Sequence, residues 1–240
     1  GDGSAYGDQL RIAVIRTPKL SNFTDFDALA NEPDVALYYV STSRELGTPD
    51  LILLPGSKNT TEDLLYIRES GLEDAIRARV TEGTPLFGIC GGYQMLGRVV
   101  RDPLHTESEH DETAGFDYLP IETTFAAHKR LRQVKACADF TFLGEKIGYE
   151  IHMGETRFME DVHRPFRITQ AAGAAIDVHD GAISADGHVI GTYIHGVFDD
   201  DDFRRALLNR LRVRRGWAEL PVQYRYRAAK ECAYDRLAET

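Results

Sequence analysis

The sequence predicts an α/β fold with a mostly parallel central sheet and helices on both of its faces. Three observations carry this. Apolar runs of strand length alternate with helix-length segments through residues 1–100. Leu51–Leu54 and Pro85–Ile89 are apolar without interruption, the pattern of a parallel strand covered on both sides. Glycine or proline closes several of the segments, as where Leu54 runs into Pro55-Gly56.

In order, Leu10–Thr17 reads as a strand rich in branched residues and stopped by Pro18. Phe26–Asn31 reads as a short helix and Val35–Val40 as the second strand. After Leu51–Leu54, Thr60 and Asp63 have capping-box spacing at the head of a helix that ends at Gly71. A helix over Glu73–Glu82 ends at Gly83, Pro85–Ile89 is a strand, and Tyr93–Val100 is a helix. Asp102–Phe142 is polar at first and then alternates as β-structure does. Lys146–Met153 and His188–Ile194 read as later strands. Asp200–Arg214 carries an apolar stripe of Phe203, Ala206, Leu207, Leu208 and Leu211 and reads as a helix. Gly216–Thr240 reads as a peripheral tail of a turn and a helix.

With 240 residues and 42% hydrophobic content, the chain can bury one sizeable core. The formal net charge of −10 argues against a nucleic-acid partner, and the arginines of Arg204–Arg215 read as a solvated helix face. No apolar run approaches the roughly 20 residues of a membrane span. Gly1–Asp8 is polar, has no basic head or apolar segment, and does not start with methionine. It reads as a linker remnant of a fragment or processed product, not a secretory signal. Cys90, Cys137 and Cys232 form no closely spaced pair, so a disulfide framework is not expected and the cytoplasm is the expected setting. The His and acidic residues of Thr106–Asp111 lack metal-ligand spacing, so no metal site is expected.

The informative segment is Phe87-Gly88-Ile89-Cys90-Gly91-Gly92-Tyr93-Gln94, where a buried strand runs directly into a helix with Cys90 at the turn. This is the layout of a nucleophile elbow, and the flanking glycines leave room for a sharp bend. The sulfur would stand above the carboxyl ends of the strands, and the N–H of Gly91 would face a developing oxyanion. A tight turn around a buried cysteine is the plainer reading of such a segment. A nucleophilic cysteine needs a base. Among the histidines, His152 and His195 stand out, and His195 ends a strand beside Gly196, where it can reach a neighbouring elbow.

Four motifs then occur in order: Leu53–Thr60, Gly88–Gln94, Gly148–Gly154 and Gly191–Phe198. Together with Arg11–Val14 and Ser21–Asp27, they resemble the glutaminase domain of cobyric acid synthase, a class I glutamine amidotransferase. The resemblance runs over about residues 9–214. It implies the flavodoxin-like class I amidotransferase fold. It implies that Cys90 forms a γ-glutamyl thioester and that His195 is its base and later the acid. Gly91, Gly56 and Ser57 would serve the oxyanion, and Gln94, Tyr149 and His152 would help hold glutamine. It also implies a partner: an N-terminal synthetase domain that uses ATP and Mg to activate a corrinoid acid. No Gly-x-x-x-x-Gly-Lys-[Ser/Thr] phosphate loop occurs here, so that domain and its cofactors are absent. Val197 stands where most class I glutaminases carry a glutamate, which leaves the orienter of His195 open among Glu150, Asp199, a backbone carbonyl and an acid of the missing domain. Two other readings stay open: the same machinery serving another acceptor (cobyrinic acid or a peptidoglycan precursor), and a non-catalytic interaction domain.

Overall fold

The computed structural model describes residues 9–138, 146–226 and 228–229, without the side chains of 126–133, 137–138 and 146–153. Six strands form the first sheet: β1 (Leu10–Ile15), β2 (Val35–Val40), β3 (Leu51–Leu54), β4 (Leu86–Ile89), β11 (Ala182–Ile183) and β12 (Val189–Thr192). Their spatial order is β11-β12-β4-β3-β1-β2, with β11 alone antiparallel to its neighbour. Counted along the chain, the five parallel strands lie in the order 2-1-3-4-5, the doubly wound order the resemblance implies.

Alternation along each strand feeds two cores. Leu10, Ile12 and Val14 of β1 face the same cluster as Leu53, Phe87 and helix α6 (Asp201–Arg214), whereas Ala13 and Ile15 face helices α3 (Thr60–Glu69) and α4 (Leu72–Thr81). Short helices α1 (Asp27–Ala30) and α2 (Ser43–Leu46) flank β2, and α5 (Gly91–Met95) follows β4. Asn59, not Thr60, caps α3, its side chain accepting from the N–H of Glu62 at 2.9 Å. Asp63 instead turns inward.

The alternating stretch within Asp102–Phe142 and the strand expected from Lys146 belong to one further sheet. A second sheet collects β5 (Val99–Arg101), β6 (Glu112–Ala114), β7 (Ile121–Ala138), β8 (Lys146–Phe158), β9 (Phe166–Ala171), β10 (Ala174–Asp180) and β13 (Ile194–His195). The helix expected over Tyr93–Val100 stops at Met95 because Gly97 lies against the backbone of Ile121 and Val99-Val100 pair with β6 and β7. The strand expected over His188–Ile194 is two strands. Asp180 accepts from the Thr192 hydroxyl and, at 3.2 Å, from the N–H of Tyr193, which pins the break. Beyond it, β13 leaves the first sheet and pairs with β8.

Of the arginines expected on a solvated face, Arg210 and Arg214 of α6 are exposed, whereas Arg204, Arg205 and Arg212 are buried. Arg204 is 0% exposed, and Arg204, Arg205 and Arg212 bond to Glu32, Asp34 and Asp201. After α6 the tail folds back: Arg212 Nε donates to the Ala218 carbonyl at 2.7 Å and Asn209 Nδ2 to that of Leu220 at 2.9 Å. Most of the helix expected in the tail, Cys232 included, lies outside the described residues. No described helix is long and apolar enough to cross a membrane.

Candidate active site

Cys90 sits at the bend between β4 and α5 with φ 52° and ψ −109°, a backbone conformation that side chains rarely adopt. Its N–H donates to the Thr192 carbonyl at 2.9 Å, and its carbonyl accepts from the N–H of Gln94 at 3.0 Å, so both neighbours hold the bend. Gly88 makes the bend possible: a Cβ there would lie 2.6 Å from the carbonyl oxygen of Gly92. Gly88→Ala is expected to cost about 1–3 kcal/mol by overpacking, read as a lower urea midpoint at unchanged slope. The thiol is half-buried at the cluster edge and therefore reachable.

His195, fully buried, comes from the short strand that crosses between the sheets. Its Nδ1 donates to Oδ2 of Asp25 at 2.7 Å. The other carboxylate oxygen accepts from the N–H of Gly196 at 3.0 Å, which fixes the acid's orientation. Asp25 is 2% exposed and lies on a one-turn 3₁₀ helix, Phe23–Phe26, reached through Asn22 in the left-handed region. The far side of the ring bonds to the Cys90 side chain. Cys90, His195 and Asp25 thus form one line, and a common aromatic cluster holds their segments. Phe198 lies 5.2 Å from Phe87 and 6.3 Å from Phe26, centroid to centroid.

Burial pulls the His195 imidazole down, but hydrogen bonds to Asp25 and Cys90, and the charges of both, more than offset it and hold the ring up at about 10. At neutral pH the ring is therefore an imidazolium. The side-chain nitrogen of Asn22 lies 3.3 and 3.4 Å from the two ring nitrogens.

The Gly56-Ser57 turn after β3 is drawn to the same place. A Cβ on Gly91 would meet the Ser57 nitrogen at 2.9 Å, and one on Gly56 would meet His195 Cε1 at 3.3 Å. The turn is braced from beneath. Ser21 N–H donates to the Gly56 carbonyl at 2.9 Å and Lys58 N–H to that of Lys19 at 2.8 Å. Buried Asp63 accepts from Ser57 Oγ at 2.6 Å and Thr17 Oγ1 at 2.7 Å. Burial raises the Asp63 pKa, and these hydrogen bonds oppose the rise. Among the described residues, the Ser57 N–H donates no hydrogen bond.

The expected site residues divide. Cys90, His195, Gly91, Gly56 and Ser57 meet. Gln94 is close but sealed: its Oε1 accepts from Thr60 Oγ1 at 3.0 Å, and its Nε2 donates to the Tyr193 hydroxyl at 3.4 Å. Tyr149 pairs with His195 across the β8–β13 ladder and His152 with Arg130, while their side chains lie outside the described residues. So does the side chain of Glu150. Asp199 closes the turn after His195, its carboxylate beside Gly196. The partner of the ring is Asp25, which the motif reading did not single out. Its one signal was its place in Ser21–Asp27, noted only as a family resemblance.

Residues 11–203 match the CobB/CobQ-like glutamine amidotransferase domain. Curated relatives are cobyric acid synthases. That of Moorella thermoacetica is 46% identical over 237 residues, covering 96% of this chain and 46% of the relative. That of Streptococcus sanguinis is 46% identical over 233 residues, with the same two shares. The chain thus spans about half the length of the relatives it matches. Among solved structures, PurLQS from Thermotoga maritima superposes with a TM-score of 0.63 at 17% identity, covering 85% of this chain and 99% of that one. A glutamine amidotransferase gives 0.60 at 19%, covering 83% and 97%. These two likenesses show the fold, and the match over residues 11–203 shows the family: the chain belongs to the CobB/CobQ-like glutamine amidotransferase domains and is an enzyme domain of that kind.

Proposed function

We propose that this domain hydrolyses glutamine through a γ-glutamyl thioester on Cys90. The observation that carries the reading is the Cys90–His195–Asp25 line ending at a reachable sulfur. The thiolate attacks the side-chain carbonyl of glutamine. The oxyanion faces the N–H groups of Gly91 and the Gly56-Ser57 turn. His195, already an imidazolium, gives its Nε2 proton to the departing nitrogen, and ammonia leaves. The neutral ring then takes a proton from water, which attacks the thioester. Glutamate departs, and Cys90 and His195 are regenerated. His195 therefore acts first as acid and then as base. Gln94 acts at one remove by holding Thr60 against Gly91, and Tyr149 and His152, on the β8 strand that pairs with β13, help hold glutamine.

The ammonia serves ATP-dependent amidation of adenosylcobyrinic acid a,c-diamide to adenosylcobyric acid, in the cytoplasm. ATP and Mg belong to the other half of the longer protein, and this half uses no cofactor. The names and lengths of the relatives support this acceptor over cobyrinic acid or a peptidoglycan precursor. Asp25 removes the motive for a non-catalytic reading, since it fills the role that Val197 leaves open.

A glutamine-mimicking diazoketone tests the chemistry. Mass spectrometry should find one adduct, on Cys90, that excess glutamine prevents and Cys90→Ala abolishes. A Cys90 that reacts with iodoacetamide but never with the diazoketone would overturn the reading.

A further inference from the structure

Two aromatic side chains stand in solvent beside the site and take no part in it. Phe23 is 53% exposed and Tyr39 40%, with ring centroids 6.5 Å apart. The other exposed large apolar side chains lie elsewhere along the chain, at Leu104, Met159, Val178 and Val213. Single exposed apolar residues need no explanation, whereas a paired aromatic patch at the rim of a site marks a contact surface.

The placement is specific. Phe23 follows Asn22, which touches the His195 ring, and it opens the same 3₁₀ turn whose inner side carries Asp25 and buried Phe26. Tyr39 belongs to β2, the last strand of the six-stranded sheet, whose outer edge pairs with no described strand. A sheet edge left without a strand partner among the described residues, with an exposed aromatic pair beside it, is a surface open to a second domain.

We infer that the Phe23–Tyr39 face is where the other half of the full-length protein docks, so that the synthetase covers the rim from which ammonia leaves. Two facts select this occupant. The relatives carry a further half beyond the part this chain matches. A second copy of this chain is disfavoured, because its formal net charge of −10 would meet the same charge. The inference rests on the glutaminase reading for its purpose, but the contact itself is tested separately. Docking there loads the turn that holds Asp25 against His195 and ties hydrolysis to the presence of the acceptor domain.

The test uses the full-length protein with Phe23→p-benzoylphenylalanine or Tyr39→p-benzoylphenylalanine. Irradiation and peptide mapping should find crosslinks within one chain, to peptides of the synthetase half. Crosslinks between two copies of this domain, or none from either position, would overturn the inference. In the same protein, Phe23→Ser with Tyr39→Ser should raise the glutamine hydrolysed per amide formed at least threefold and leave amidation from added ammonium unchanged. Unchanged coupling would also overturn it. A wild type that does not hydrolyse glutamine at Cys90 would instead sink the proposed function, whatever the crosslinks show.

Discussion

Asp25→Asn is expected to lower kcat/KM for glutamine hydrolysis by about 10²–10⁴-fold in a chain that still folds. The substitution keeps the shape and keeps an oxygen for the Gly196 N–H. It places an NH₂ group where Oδ2 now accepts from His195 Nδ1. The ring must then present a bare nitrogen to that amide and lose its fixed tautomer. It also loses the anion. In the wild type, burial lowers the ring's pKa, but Asp25 and Cys90 overcome this and hold it at about 10. Without Asp25 the burial effect gains ground and the pKa falls. The sign follows for the rate profile: the alkaline limb, which reports loss of the imidazolium, moves to lower pH. For stability, a raised histidine contributes fully below its unfolded value of 6.5 and loses that contribution as pH rises to about 10. The variant should therefore lose less stability than wild type across that window. A pH profile of kcat/KM with equilibrium unfolding at pH 6 and pH 10 reads both. A variant with more than a tenth of wild-type activity and an unmoved alkaline limb shows that Asp25 does not orient the ring.

The legible parts of this protein are those that chemistry makes local. The elbow could be read because one strand, one cysteine and three glycines are adjacent in sequence. β3 was legible because an uninterrupted apolar run has little else to do. Asp25 was not, because a carboxylate and a ring 170 residues apart share no spacing rule. It sits on a turn too short to carry periodicity, and its burial depends on Phe26, Phe87 and Phe198 meeting beneath it. The second sheet was legible only in part. The alternation within Asp102–Phe142 and the strand over Lys146–Met153 fall on β7 and β8, but their antiparallel pairing joins residues up to 37 apart and follows no local spacing, and the short β5 and β6 carried no signal of their own. Arg204, Arg205 and Arg212 of α6 misled for the opposite reason. Their periodicity is that of a surface helix, and only the acids of residues 32 and 34, arriving from the far end of the chain, make burial tolerable.

That buried network carries the other large effect. Glu32 Oε1 accepts from Arg204 Nε at 2.7 Å, and Oε2 accepts from Arg205. Asp34 accepts from Arg205 at 2.9 Å and from Arg212 at 3.2 Å, and Asp201 from Arg204 at 2.9 Å. Three acids therefore meet three arginines, and the set is neutral. Glu32→Ala leaves one uncompensated cation in a site where Arg204 has no route to water, at an expected cost of about 3–5 kcal/mol. Arg204 keeps the Phe198 and Tyr224 carbonyls at 2.8 and 2.6 Å, so the loss stays below that of an entirely unpaired charge. Removing charge and counter-charge together, as Glu32→Met with Arg204→Met, should recover part of the loss. Burial raises the Asp34 pKa, but the Arg205 hydrogen bond and the charges of Arg205 and Arg212 outweigh it and leave the group below its usual 3.8. Its contribution is therefore complete above 3.8 and disappears as pH falls through the lowered value. Urea titrations of Glu32→Ala belong at pH 7, where the network is intact. The network also bears on the site, because Glu32 lies just past α1 and Arg204 just past Phe198, so it ties the segments carrying Asp25 and His195 at their far ends. Activity of the Glu32→Ala chain should fall even where it remains folded. An unfolding free energy within about 1 kcal/mol of wild type would mean that a shifted carboxylate neutralises Arg204, or water solvates it, in solution.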